Sequence, residues 1–508
     1  MKRILVLLSL LSLLAPSVIF AQAPGGAPKG LIDWLQDNMG MEMGSVSIDG
    51  VGYSKVVLAP EVRLGRLKMG LYLPVIYKDD LFNPATWYAP GGNNEWNFGS
   101  DYWGNDTYKA ILDVAADLIL KIKYLEFGQP LEDRFFVKVG NLQGLYIGHG
   151  LIMRNYRNDT DFPSLRRTGV NVGIDFGAVG FEALANDLPL PEIAGARLYV
   201  RPFKKFRLAF GVSGVADLQA GKDLAGTTWD AVSDTFVFLG SGVDLDLPII
   251  KKNEILSLRA YADAAFTVPY IKSDFTSPLD GSTVIKAGIQ KDLLWDGSPK
   301  NWGAAAGFAG NVLFIDWRLE YRYFTGIFRP AFFDSTYERS RSLRVQEYVS
   351  YLEDPTQISD APTVMGIYGE AGFTLFKDKM SLSAGYMWPW SFDTLYNFGD
   401  ADDELHAGLV IKKGLIPLLD ISGAIYYDKW GLIGSIVNKN FQLFDSKTAL
   451  AGEVVFPIPG SPNLGVAAIF KAVVARDPST GAVKYVDDDP TKGAKIVPTV
   501  TIETRISF

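Results

Sequence analysis

Residues Leu313 to Phe324 read LFIDWRLEYRYF. The odd positions, Leu313, Ile315, Trp317, Leu319, Tyr321 and Tyr323, are all apolar or aromatic. The even positions from 316 are Asp316, Arg318, Glu320 and Arg322, charges of alternating sign. Successive side chains of a strand point to opposite faces, so this stretch is a ribbon with one apolar and one charged face. The pattern recurs. In 256–266, Leu256, Leu258, Ala260, Ala262, Ala264 and Phe266 oppose Ser257, Arg259, Tyr261 and Asp263. In 419–428, Leu419, Ile421, Ile425 and Tyr427 oppose Asp420, Ser422, Tyr426 and Asp428. Val114 to Tyr124 reads the same way, with Lys121 and Lys123 on its polar face, and 206–218, 365–376, 380–388 and 404–412 are similar.

A soluble sandwich and a membrane barrel both produce such faces. Three features favour the barrel. The segments run about 9–13 residues, the length a tilted strand needs to cross a bilayer, against about 5–6 in a sandwich. Aromatics gather at segment ends: Tyr321 and Tyr323, Trp388 and Trp390, Tyr427 and Trp430, as a membrane interface favours. Short turns alternate with long loops when the chain is followed back from its last strand, and the short side of such a barrel is periplasmic. The expectation is an all-β fold, a single antiparallel up-and-down transmembrane barrel over 46–508, with about 18 strands in a range of about 16–20. Two stretches, about 267–301 and 44–77, resist assignment of crossings.

The chain ends supply the compartment. Lys2 and Arg3 precede an uncharged run from Ile4 to Phe20, with small residues at Ala21 and Ala23. That is the layout of a cleaved signal peptide, expected over 1–23. A short periplasmic or luminal segment is expected over 24–45, where Leu31, Trp34 and Leu35 share a helical stripe. Removing Lys2 and Arg3 takes the formal net charge from -8 to -10, which argues against nucleic acid as a partner. The absence of cysteine excludes disulfides and a lipid-anchored start.

The last ten residues, TVTIETRISF, alternate to the end, with Val500, Ile502, Ile506 and Phe508 on the apolar face and Glu503 and Arg505 on the other. This terminal pattern resembles the assembly signal of bacterial outer-membrane β-barrel proteins, porin-like in kind, with Ile502, Ile506 and Phe508 carrying it. The resemblance implies a bacterial outer-membrane location and insertion by the outer-membrane assembly machinery, with periplasmic chaperones and outer-membrane lipid as partners.

Candidate functional residues follow from the inward faces. Lys121, Lys123, Arg259, Asp316, Arg318, Glu320 and Arg322 are lumen-lining candidates. The longest loop, 325–364, carries Arg339, Arg341 and Arg344, and such a loop can fold inward so that its arginines line a constriction; a solvated loop is the alternative. A second basic cluster, Arg154, Arg157, Arg166 and Arg167, has two readings: meeting phosphates outside, or local carboxylates. Acidic clusters at Asp400, Asp402, Asp403, Glu404 and Asp487 to Asp489 lack the ligand spacing of a calcium loop. Loop 78–106 gathers Trp87, Tyr88, Trp96, Phe98, Tyr102 and Trp103, suited either to a ligand or to an interfacial belt that packs on itself.

Catalysis is not expected. His149 and His406 are the only histidines, neither lies in a nucleophile motif, and no G-x-S-x-G is present. No cofactor is expected, since two histidines without cysteine suit neither zinc nor haem sites. The charged lumen implies a channel for diffusion or facilitated uptake of small solutes. The alternatives are a selective transporter of hydrophobic molecules, similar to fatty-acid transporters, and a surface adhesin or structural barrel.

Overall fold

Twenty strands close into one antiparallel barrel. The computed structural model describes residues 39–507 apart from 49, 90–94, 131–132, 163–164, 204–207, 251–254, 378, 417–418 and 478–481. The expected signal peptide, residues 24–38 and Phe508 lie outside the described residues. In chain order the strands are Met39–Ile48, Val51–Leu64, an interrupted strand (Leu67–Leu71 and Leu73–Tyr77), Ile122–Phe127, Phe135–Gly140, Gly169–Asp175 and Val179–Ala185. Ile193–Val200, Ala209–Asp217, Phe236–Ile250, Leu256–Ile271, Trp302–Val312, Ile315–Phe324 and Val364–Leu375 follow. Met380–Trp390, Glu404–Ile411, Ser422–Trp430, Thr448–Ile458, Ser461–Val474 and Ile496–Ser507 complete the wall. Each pairs antiparallel with its neighbours, and the last pairs with the first from Gly40 opposite Ser507 to Val46 opposite Thr501. The first strand therefore starts inside the segment expected to precede the barrel.

The faces are inverted relative to a soluble protein. In Ile315–Phe324, Leu319 and Tyr321 are 52% and 49% exposed, whereas Glu320 and Arg322 are 3% and 1%. Phe181, Val212, Val243, Phe308, Ile425 and Ile502 are likewise exposed, and Asp244, Asp263 and Glu503 are buried. Apolar surface on this scale, wrapped around a charged interior, belongs in lipid. Connections 65–66, 176–178, 313–314 and 459–460 lie on one rim, while 141–168, 218–235, 272–301 and 325–363 lie on the other.

One expectation is corrected. Val114 to Tyr124 is not a strand: Thr107–Leu120 is a helix, α1, and the wall strand begins at Ile122. The Asp106 side chain caps the helix by accepting from the Lys109 N–H at 3.0 Å. Ala110, Leu112, Ala115, Ala116, Leu118 and Leu120 are strong helix formers, and that preference outweighs an alternation that fits either period. The twenty strands fall at the upper end of the expected range of about 16–20; Ile122–Phe127 and Phe135–Gly140, six residues each, are too short to stand out by alternation.

Loop 325–363 enters the lumen and folds there as helix α2, Tyr337–Val349. Loop 141–168 lies beside it, joined where the Phe333 N–H donates to Ile152 O and the Arg154 N–H to Phe333 O, both at 3.1 Å. Phe332, Phe333, Tyr337 and Tyr348 pack with Ile152, Met153 and Phe238 into an apolar core inside the barrel. The Phe238 and Phe332 rings stack at 4.5 Å.

Candidate luminal site

Two of the cavities lined by described residues lie along one sector of wall. The outer one, about 850 Å³, is lined by Arg329, Glu347, Lys429, Trp430, Lys447 and Ile496 among others. The inner one, about 420 Å³, is lined by Lys55, Tyr72, Phe162, Lys471, Thr499 and Glu503 among others. They share no lining residue. Lys447, next to Thr448–Ile458, and Ile496, the first residue of Ile496–Ser507, line the outer cavity, whereas Glu453, Lys471 and Thr499 on Thr448–Ile458, Ser461–Val474 and Ile496–Ser507 line the inner one, so the boundary falls near the outer ends of these strands.

Arg339 occupies that boundary. From α2 its guanidinium donates to Thr448 O at 2.6 Å, Thr160 O at 2.9 Å and Asp161 Oδ1 at 3.1 Å, and also to Ala472 O. Thr448 and Ala472 belong to wall strands, Thr160 and Asp161 to the inward loop, so one side chain ties loop to wall. Asp161 also meets Arg476 at 3.6 Å, and against the burial that would raise its carboxyl the Arg339 and Arg476 guanidinium groups hold it below the usual carboxylate range. The α2 backbone places Arg341 and Arg344 elsewhere. Arg341 pairs with Asp217 and Glu192 at 2.8 and 2.9 Å, and Arg344 with Asp334 at 2.8 Å. Arg341 thereby ties α2 to the wall strand Ala209–Asp217, Arg344 braces the loop on itself, and like Arg339 neither lines either cavity.

The other sequence candidates are spread around the barrel. Arg318, Glu320 and Arg322 form an inward ladder with contacts of 3.1 and 2.7 Å. Tyr261 donates to Glu320 at 2.7 Å, and Arg154 bonds Glu404. Asp316 is exposed at the short-turn rim, and Arg259 lies 4.0 Å from Asp246. Lys123 borders the inner cavity. Lys121 closes α1 and pairs with Glu95 at 2.8 Å beneath Trp96. The second arginine cluster meets local carboxylates: Arg166 bonds Glu95, and Arg167 bonds Glu338 and Glu192. Loop 78–106 packs partly on itself, with buried Trp96 against Trp87 and Phe98, and leaves Tyr102 and Trp103 exposed.

Each histidine is held by a carboxylate. His149 Nδ1 is 2.9 Å from Asp263 and His406 Nδ1 is 2.5 Å from Asp428. Among the described residues neither ring is hydrogen-bonded to a serine or threonine hydroxyl.

The alternation did not single out the cavity-lining residues Lys55, Tyr72, Lys471 and Thr499. Lys471 lies 5.0 Å over the Phe162 ring, with no carboxylate in ion-pair distance among the described residues. The Tyr72 hydroxyl and Thr499 Oγ1 are buried without a hydrogen-bond partner among the described residues. Strand parity, which sets Lys471 on the face of buried Ala467, was the one signal that could have found it.

A closed barrel with an apolar outside and a charged, partly filled lumen has the fold of the porin-like β-barrels of bacterial outer membranes. Among solved structures the chain is similar to a BenF-like porin from Pseudomonas fluorescens Pf-5, at 8% identity and a TM-score of 0.30 over 93% of this chain and 98% of that one. It is similar to Pseudomonas aeruginosa OpdL at 10% identity and a TM-score of 0.34, over 82% of this chain and 96% of that one. Pseudomonas aeruginosa OprD matches at 9% identity and a TM-score of 0.32, over 92% of this chain and 94% of that one. Likeness at this level does not bear on what passes through this chain. No protein-family model and no curated protein matches it.

Proposed function

We propose that the protein is a bacterial outer-membrane channel that passes small solutes along the sector of wall built by Thr448–Ile458, Ser461–Val474 and Ile496–Ser507. The observation that carries this reading is the succession of outer cavity, Arg339 boundary and inner cavity along those three strands. Charges of both signs line both spaces, which favours hydrated polar solutes over hydrophobic ones. Arg339 acts as the constriction, Arg341 holds the inward loop against the wall, and Arg344 braces the loop on itself. Lys471, Thr499 and Tyr72 give the inner cavity uncompensated polar groups that a passing solute can satisfy.

The reading is tested by planar-bilayer conductance of the purified protein with simple salts, sugars and fatty acids as test solutes. Ion conductance that added sugars or small acids partly block supports the channel. Absence of conductance in protein that folds and inserts would overturn it in favour of a closed transporter or an adhesin.

A further inference from the structure

Helix α1 is built the wrong way round for water. Its exposed stripe consists of Tyr108, Ile111, Leu112, Ala115 and Leu118, with Tyr108 71% and Ile111 55% exposed. Its opposite side carries Asp113 and Asp117, which accept from the backbone N–H groups of Gly99 at 3.0 Å and Phe98 at 2.7 Å. A surface helix in water shows the reverse arrangement.

The place of the helix supplies the second observation. Ile122–Phe127 and Phe135–Gly140 are six residues long, while Phe236–Ile250 and Leu256–Ile271 across the barrel have 15 and 16. A tilted strand needs about 9–11 residues to span a bilayer, so the wall is low there by several residues. Leu73–Tyr77 pairs with a strand on one side only among the described residues. On its other side the Trp96 indole donates to Pro74 O and the Tyr88 N–H to Ile76 O, at 2.8 and 2.7 Å. The end of α1 is fastened at this gap: the Tyr72 N–H donates to Lys121 O at 2.8 Å and Thr168 Oγ1 to Ile119 O at 3.3 Å.

We infer that α1 is part of the lipid-facing wall, its stripe of Tyr108, Ile111, Leu112 and Leu118 embedded in bilayer hydrocarbon and completing the barrel above the two short strands. Below it, Phe135 and Phe181 on strands of the same sector also present outward apolar side chains. Exposed Tyr102, Trp103 and Lys109 at the start of the helix suit the headgroup level, where amphipathic rings and long cationic stems settle. The inference rests on the reading of the barrel as membrane-spanning, and its test separates the two.

The native chain has no cysteine, so single-cysteine variants can each carry one nitroxide label. Leu112→Cys, Leu118→Cys and the milder Ala115→Cys report on α1, Leu319→Cys on a mid-strand outward position, and Leu395→Cys on an exposed loop. Each variant is reconstituted in phosphatidylcholine vesicles, after its heat-modifiable gel mobility confirms folding. The labels are then relaxed with oxygen and with a water-soluble nickel chelate. The expected result is that the α1 labels match Leu319, with oxygen the stronger relaxant, while at Leu395 the chelate is stronger. If Leu319 reads lipid and the α1 labels read water, the inference is overturned and the barrel reading stands. Shielding of the α1 labels from both reagents, as under a second copy or another protein, overturns it too. If Leu319 itself reads water, the membrane reading has failed and takes the inference with it.

Discussion

Lys55 Nζ and Glu503 Oε2 meet at 2.5 Å across the closure of the barrel, 448 residues apart in the chain. Lys55 also reaches Glu42 at 3.2 Å, and Arg505 joins Glu503 at 2.7 Å and Glu453 at 2.8 Å. The first two strands and the last thus share one charge network. Lys55→Met leaves Glu42 without its cation and Glu503 with Arg505 alone. Removing one partner of a buried pair costs up to about 3–5 kcal/mol, less here because the inner cavity adjoins the pair. The temperature at which the folded band disappears on unheated SDS gels should fall, and Lys55→Met with Glu503→Leu should recover part of the loss.

The same seam makes Gly44 irreplaceable. A Cβ at Gly44 would lie 2.0 Å from Ile502 O and 2.6 Å from Glu503 Cα. Both are backbone atoms of the closing strand, so a flexible side chain cannot yield. Gly44→Val should abolish the heat-modifiable folded form in refolding into detergent, while Gly52→Ala, where a Cβ would meet nothing, should leave it intact.

Arg339→Ala removes the side chain that separates the cavities, together with its bonds to Thr448 O and Ala472 O. Single-channel conductance should rise severalfold, with the folded yield retained. Arg344→Ala should instead loosen the inward loop, because Arg344 bonds Asp334 and Phe332 O within that loop. Its signature is noisy, fluctuating conductance. Unchanged conductance in Arg339→Ala would place the path elsewhere.

Lys471 is a cation without a carboxylate partner among the described residues, set over Phe162 in the inner cavity. Lys471→Gln should shift the reversal potential in a salt gradient toward cation preference and weaken block by small carboxylates. A reversal potential that does not move would remove Lys471 from the path.

Helix α3, Leu432–Val437, lines the outer cavity and hangs on Asp403, whose carboxylate accepts from the Ile433 N–H at 3.1 Å and from the Tyr386 hydroxyl at 2.9 Å. Burial pushes this carboxyl up to about 6, against the hydrogen bonds that favour its charged form. An unfolded aspartate titrates near ~3.9. Between about pH 4 and pH 6 the folded protein holds a proton that the unfolded chain has lost, so stability falls as pH rises through that window. Hydrogen exchange across 430–440, corrected for the intrinsic rate, should be slower at pH 5 than at pH 7. Asp403→Asn, neutral throughout, should abolish the difference.

The strands were legible where alternation was long and regular. From residue 364 onward the expected order of strands, turns and loops matches the hairpins from Val364–Leu375 to Ile496–Ser507. It failed at 114–124, where alanines and leucines fit helix and strand alike, and between 267 and 301, where Leu256–Ile271 runs on to 271 and the rest is a long loop with only two-residue strands. The site was less legible. Arg339, Arg341 and Arg344 carry the same charge within six residues, yet Arg339 and Arg341 bridge the loop to different wall strands and Arg344 braces the loop on itself. Nothing local distinguishes Arg339 from Arg341, because their partners are 109 to 179 residues away for Arg339 and 149 for the Arg341 bond to Glu192.

By itself the sequence determined the alternating faces, and through them a charged interior inside an apolar shell, since a period of two is a local property of the chain. The tertiary structure alone decided which charges meet, how far the long loops reach into the lumen and which polar groups remain uncompensated. Those outcomes depend on barrel closure, which brings Lys55 to Glu503 and Arg339 to Thr448 through contacts that no window of sequence contains.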